Sequence, residues 1–131
     1  MNIYMEKAKQ NADNGIKNKE GGPFGAIITD KEGNIISNGN NKVIKNNDPT
    51  AHAEVVAIRE ACKKLNTYDL SNYILYTSCE PCPMCLSAII WANIKEVYYC
   101  LLYTSDAADE RSSEECLETF KRYSEENGTI Y

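Results

Sequence analysis

Two short motifs limit most strongly how this chain can fold: His52-Ala53-Glu54, and Pro81-Cys82-Pro83-Met84-Cys85 just after the apolar run Tyr73–Thr77. Each follows a loop and opens a predicted helix. Cys82 and Cys85 are three positions apart, so on a helical turn they share one side and can chelate one ion. His52 is the candidate third ligand. For the three to meet, two helix N-termini must point into one place, which makes a cavity lined by N–H groups with a positive potential that favours thiolates. Three protein ligands leave the fourth tetrahedral position open to water, as in a catalytic zinc site and unlike a structural one. Glu54, two residues after His52, falls near the metal without being a natural fourth ligand, and is the candidate proton carrier.

Each piece also has a plainer reading. A C-x-x-C pair at a helix start is also the pattern of a redox couple. Cys79 would close a Cys₃His structural site with Cys82, Cys85 and His52, or is more simply a small buried residue at a strand end. Trp91, on an apolar helix, suits core packing as well as the wall of a substrate pocket. Asn127-Gly128-Thr129 matches a glycosylation acceptor, but in a chain without an export signal it reads as a helix stop.

The pattern along the chain places these motifs. Residues 2–18 read as a helix, weak in its second half where Asn11, Asp13, Asn14 and Gly15 fall. Phe24–Thr29 and Ile35 to about Gly39 read as an antiparallel hairpin turned by Asp30-Lys31-Glu32-Gly33-Asn34. Residues 40–50 read as a loop, and Thr50 as the N-cap of a helix over 51–65 whose buried stripe is Val55, Ile58, Cys62 and Leu65. Tyr73–Thr77 and Ile94–Tyr99 read as strands. Met84 to Ala92 reads as a helix apolar enough to be buried, and 112–127 as a last helix with a Ser112–Glu115 capping box. Strands alternating with helices after an opening hairpin give an α/β sandwich with a mixed sheet. The 131 residues suit one domain, 1–131.

The formal net charge is −5 and no lysine- or arginine-rich run stands out. Phosphate binding draws on basic surface, so a small neutral substrate fits better than a nucleic acid. No stretch is apolar enough to span a bilayer and the N-terminus lacks a signal-peptide core, so a cytoplasmic protein without a membrane partner is expected. Six cysteines in such a chain read as thiols or ligands, not disulfides.

The H-x-E…P-C-x-x-C pattern is a described signature of zinc deaminases. Three blocks, GGPFGAII, NDPTAHAEVVAIREAC and ILYTSCEPCPMCLSAIIWA, resemble the cytidine deaminase-like superfamily, and within it are most similar to bacterial guanine deaminases. The resemblance covers about residues 1–99. It implies a three-layer α/β/α domain, one Zn²⁺ per chain, hydrolysis of the nucleobase guanine to xanthine and ammonia, and a homodimer. His52, Cys82 and Cys85 match the ligands and Glu54 the proton shuttle. Asn41 and the Ala53 backbone match base-contacting positions, and Phe24 and Trp91 match apolar pocket walls. The tRNA adenosine deaminases share the H-A-E and P-C-x-M-C blocks, but the acidic balance and the Thr77-Ser78-Cys79-Glu80 tetrad favour the guanine branch. A zinc-stabilised scaffold without catalysis is the remaining class.

After Tyr99 the resemblance stops. Guanine deaminases continue with a Gly-Phe-Asp-Asp-like segment and a tail whose aromatic residue closes the active site. Here Cys100 to Glu110 resembles the in-frame translation of a transposon-type sequencing adapter. The expectation is a chimeric frame in which 100–131 carry no evolved function, while the zinc residues all precede the break.

Overall fold

The computed structural model of the chain describes residues 2–99. Helix α1 (Ile3–Lys17) is opened by Asn2, whose side-chain oxygen accepts the backbone N–H groups of Tyr4 and Met5. These are donors that a helix start otherwise leaves unpaired. The polar second half of α1 stays helical because it packs: Ala8, Ala12 and Gly15 are buried. Gly25 on the first strand makes that packing close, since a Cβ there would lie 2.0 Å from the Ala8 carbonyl oxygen.

Strands β1 (Gly25–Asp30) and β2 (Ile35–Asn40) pair antiparallel. The Asp30 carboxylate fixes their turn by accepting the N–H groups of Glu32 and Asn34. Gly33 takes φ +92° there, a left-handed value that costs glycine little. Strand β3 (Tyr73–Thr77) runs antiparallel to β1, and β4 (Glu96–Tyr99) parallel to β3, in the order β2-β1-β3-β4. Neighbouring residues on a strand face opposite sides. On β2, Gly39 meets Ala53 and Ala57 of helix α3 (Ala53–Leu65), whereas Asn40 meets Gly15 of α1. Helices thus cover both faces, giving the expected three-layer α/β/α sandwich. The larger core lies on the α3 side, where Ala26, Ile28, Leu75 and Val97 pack with Ala57, Ala61, Ile89 and Ile94.

Local details differ from the sequence expectations. The segment after β2 is not all loop, because α2 (Val43–Asn46) forms one turn whose first N–H is taken by the Asn41 side chain. Helix α3 begins at Ala53, with His52 and not Thr50 as its N-cap. Thr50 instead donates its hydroxyl to the Asp48 carboxylate (2.7 Å), and the Ala51 N–H bonds the Asp48 carbonyl. The deepest face of α3 is Ala53, Ala57 and Ala61 beside Val55, with Ile58, Cys62 and Leu65 half-buried at its flank. Helix α4 (Pro83–Trp91) buries only Cys85 and Ile89. A helix in a single layer presents one stripe to the sheet, so its remaining apolar residues are half-buried and Trp91 is 59% exposed. The Cys100–Glu110 run and the 112–127 helix lie outside the described residues, as does the single-domain expectation beyond residue 99.

Candidate metal centre

The sheet topology carries both motifs to one edge. Because β1 and β3 are antiparallel, the start of one neighbours the end of the other: the Ser78 N–H donates to the Gly25 carbonyl (2.9 Å) and the Gly25 N–H to Ser78 Oγ (3.0 Å). Strand β2 ends at the same edge, with Asn40 opposite Gly25. The chain leaving β2 enters α3 and the chain leaving β3 enters α4, so both helices begin there. His52 is the N-cap of α3 and Cys82 the N-cap of α4, and neither side chain is used for capping. Both are left to face the space between the helix starts, where the helix dipoles favour thiolate and carboxylate.

His52 Nδ1 is 3.5 Å from Cys82 Sγ and 3.5 Å from Cys85 Sγ, and the three donor atoms lie within 4.8 Å of one another. Tetrahedral zinc, with Zn–S about 2.3 Å and Zn–N about 2.0–2.1 Å, separates its nitrogen and sulfur ligands by about 3.6 Å. The donor set fits zinc in number, chemistry and spacing. Cys79 is not part of the cluster, so a closed Cys₃His site is not formed, and Cys82 and Cys85 are not joined in a disulfide.

Glu54 is 6% exposed. Burial raises its carboxyl above the ordinary range, opposed by bonds from its own backbone N–H and the Cys85 side chain, by the nearby His52 and by a bond from Thr77. Burial of this kind favours the protonated form of a carboxyl relative to an exposed one. Burial pushes the Cys85 thiol up as well, with the Glu54 charge adding to it. A cation is what stabilises the thiolate there.

Asn41 is 7% exposed, and its side-chain oxygen accepts the Val43 N–H at 3.0 Å. That bond assigns the NH₂ end as the donor available to a ligand. The Asn41 N–H bonds the Phe24 carbonyl (3.1 Å), which ties half-buried Phe24 to the same edge. Ala53 is fully buried as the first residue of α3. Trp91 is not brought to the donors: it ends α4, six residues beyond Cys85 and therefore about 9 Å along the axis. Three more residues shape the edge without any ligand motif. Thr77 and Ser78 are 1% and 0% exposed, and Gly21 packs so tightly on Asn41 that a Cβ would sit 2.1 Å from its Oδ1. The sequence hint for the first two is an apolar strand that ends in two hydroxyl residues just before the cysteines.

Residues 2–101 match the family described as the cytidine and deoxycytidylate deaminase zinc-binding region. Guanine deaminase of Bacillus subtilis (strain 168) is 56% identical over 106 residues, covering 81% of this chain and 67% of that protein. The tRNA-specific adenosine deaminase of Aquifex aeolicus (strain VF5) is 50% identical over 80 residues, covering 61% of this chain and 52% of that protein. The chain therefore spans about two thirds of the first relative's length and about half of the second's. An X-ray structure of the Bacillus subtilis guanine deaminase aligns with a TM-score of 0.75 at 50% identity, over 87% of this chain and 73% of that one. With the family matched along most of its length and a donor set that fits the metal, the chain belongs to the cytidine and deoxycytidylate deaminase zinc-binding family, in the class of zinc-dependent aminohydrolases.

Proposed function

We propose that this chain hydrolyses guanine to xanthine and ammonia, with His52, Cys82 and Cys85 holding one zinc ion and Glu54 moving the protons. The observation that carries the reading is a buried carboxylate beside a three-donor cluster, a set that leaves one coordination position for chemistry. The 56% identity to a guanine deaminase supports guanine as the base. A bound zinc ion supplies Lewis acidity, which brings the pKa of water down to roughly 7. Glu54 accepts one proton as water adds to the ring carbon that carries the amino group and gives it to the adjacent ring nitrogen, then takes the second from the newly added hydroxyl and gives it to the departing amine. The Asn41 NH₂ and the Ala53 N–H at the start of α3 are donors matched to acceptors on a purine edge, and Phe24 is an apolar wall.

The half-buried apolar residues of α4 and the exposed Trp91 support a homodimer across this helix, in which Trp91 serves the second copy. The lack, among the described residues, of a helix able to cross a membrane agrees with a cytoplasmic enzyme for a small base. Residues 1–131 are read as one domain. The tRNA adenosine deaminase reading is second, favoured by the 50% identity over 80 residues and opposed by the net charge of −5.

The test is ammonia release from guanine, adenosine, cytosine and cytidine, with zinc quantified in parallel. Release from guanine is expected, and Glu54→Gln lowers it by on the order of 10²–10⁴-fold while zinc stays bound. A scaffold has no turnover to lose. Activity on a cytosine ring alone overturns the purine reading, and RNA binding that weakens steeply with salt supports the tRNA one.

A further inference from the structure

We propose that Ser78 is a positioning residue for the base-binding side of the site: its hydroxyl clamps the Phe24–Gly25 peptide, and that peptide holds Asn41. The inference rests on the reading of Asn41 as a donor to the base. Gly25 and Ser78 continue the β1–β3 register one step beyond the Ala26–Thr77 pair. In an antiparallel ladder, the two residues of a hydrogen-bonded pair exchange both of their N–H···O=C bonds. Here the Ser78 N–H donates to the Gly25 carbonyl (2.9 Å), but the Gly25 N–H donates to Ser78 Oγ (3.0 Å). The hydroxyl stands in for the carbonyl of its own residue. It closes the last rung at the point where the backbone bends out of the sheet toward the cysteines.

The same peptide group is held at its other end. Its oxygen, the Phe24 carbonyl, accepts the Asn41 N–H (3.1 Å). The Phe24 N–H turns back to the Gly22 carbonyl (2.9 Å) instead of returning a bond to Asn41. One peptide plane thus bridges the end of β3 to Asn41, with one bond on each side. Ser78 is 0% exposed and Asn41 7%, so little water reaches the bridge. A buried N–H without an acceptor is costly, and the backbone moves to find one. With the hydroxyl gone, the peptide must tilt toward another acceptor, and its oxygen tilts with it because the group is planar. Asn41, whose side chain is turned by the Val43 N–H, then leaves the place from which it meets the base.

Ser78→Ala removes the acceptor, whereas Ser78→Thr keeps it. With guanine as substrate we expect Ser78→Ala to raise KM on the order of 10-fold, with kcat and zinc content little changed, and Ser78→Thr to restore most of the loss. Should the alanine variant fold poorly, Ser78→Cys, whose sulfur is a weak acceptor, serves in its place. Crystal structures of the zinc-loaded variants give a readout that needs no turnover: Asn41 shifts with the Phe24 carbonyl in the alanine variant and keeps its place in the threonine variant. An unmoved Asn41 with an unchanged KM overturns the proposal, as does a threonine variant impaired like the alanine one. Loss of zinc, or a fall in kcat at constant KM, also overturns it, since the hydroxyl would then serve the cysteine turn. A displaced Asn41 with an unchanged KM upholds the clamp and overturns the reading of Asn41 on which the proposal rests. Absence of ammonia release from guanine by the unmodified protein refutes the guanine reading, while the crystallographic comparison still decides the case for Ser78.

Discussion

Asn41 and Glu54 are buried polar side chains whose orientation is set by backbone N–H groups, and that constraint separates their roles. The Asn41 oxygen accepts the Val43 N–H, which fixes the amide's orientation and leaves its NH₂ end as the donor toward a ligand. Glu54 instead has its own N–H and side-chain partners around a carboxyl that burial raises above the ordinary range. The position of Asn41 depends on a glycine. The Cβ of an alanine at position 21 would lie 2.1 Å from Asn41 Oδ1 and 2.5 Å from its carbonyl oxygen. The loop has little room to retreat, because the adjacent Glu20 binds the Asn40 amide (2.7 Å) and Lys45 (3.0 Å), and its carbonyl accepts the N–H groups of Ile44 and Lys45. Gly21→Ala must therefore displace Asn41. The expected outcome is a kcat/KM for guanine lower by on the order of 10- to 100-fold, mostly through KM, with zinc content unchanged. An unaltered KM would mean that Asn41 does not contact the base.

At the scale of elements, α3 holds the two candidate residues at its start in place by lying unusually close to β2. A Cβ on Gly39 would be 2.3 Å from the Ala53 carbonyl oxygen and 2.8 Å from the Ala57 nitrogen, both backbone atoms that cannot rotate away. Ala53 lies between His52 and Glu54, so any shift of the helix start is a shift of the site. Gly39→Ala is expected to cost about 1–3 kcal/mol of stability in urea unfolding, as overpacking does, and to weaken zinc retention, which metal analysis after dialysis reads. The same contact explains what the sequence made legible. Cys82 and Cys85 could be paired from spacing alone, and His52 joined to them by its own helix start, because each motif is local. The stripe on α3 was not legible, since periodicity weights large apolar residues such as Ile58 and Leu65, whereas close approach to Gly39 selects Ala53, Ala57 and Ala61.

For the molecule as a whole, the donor cluster is a cross-link between α3 and α4, joining positions 30 and 33 residues apart in sequence. The unfolded chain has no such preformed site, so zinc binds the native state and stabilises it by mass action. Free zinc at about 1,000 times its Kd contributes about 4.1 kcal/mol. For a domain of this size, that corresponds to a melting temperature higher by on the order of 10–20 °C. Chelation followed by thermal melting should therefore lower Tm by that amount, and restored zinc should reverse it. Three proteins separate this linkage from general destabilisation. The unmodified chain and Glu54→Gln should show the same shift on chelation, because the carboxylate is placed beside the metal and not among its ligands. Cys85→Ser should melt low from the start and respond little to chelator, since it lacks one of the three donors. A Glu54→Gln protein that also loses its chelation shift would make Glu54 a ligand, and would remove the proton carrier on which the proposed chemistry depends.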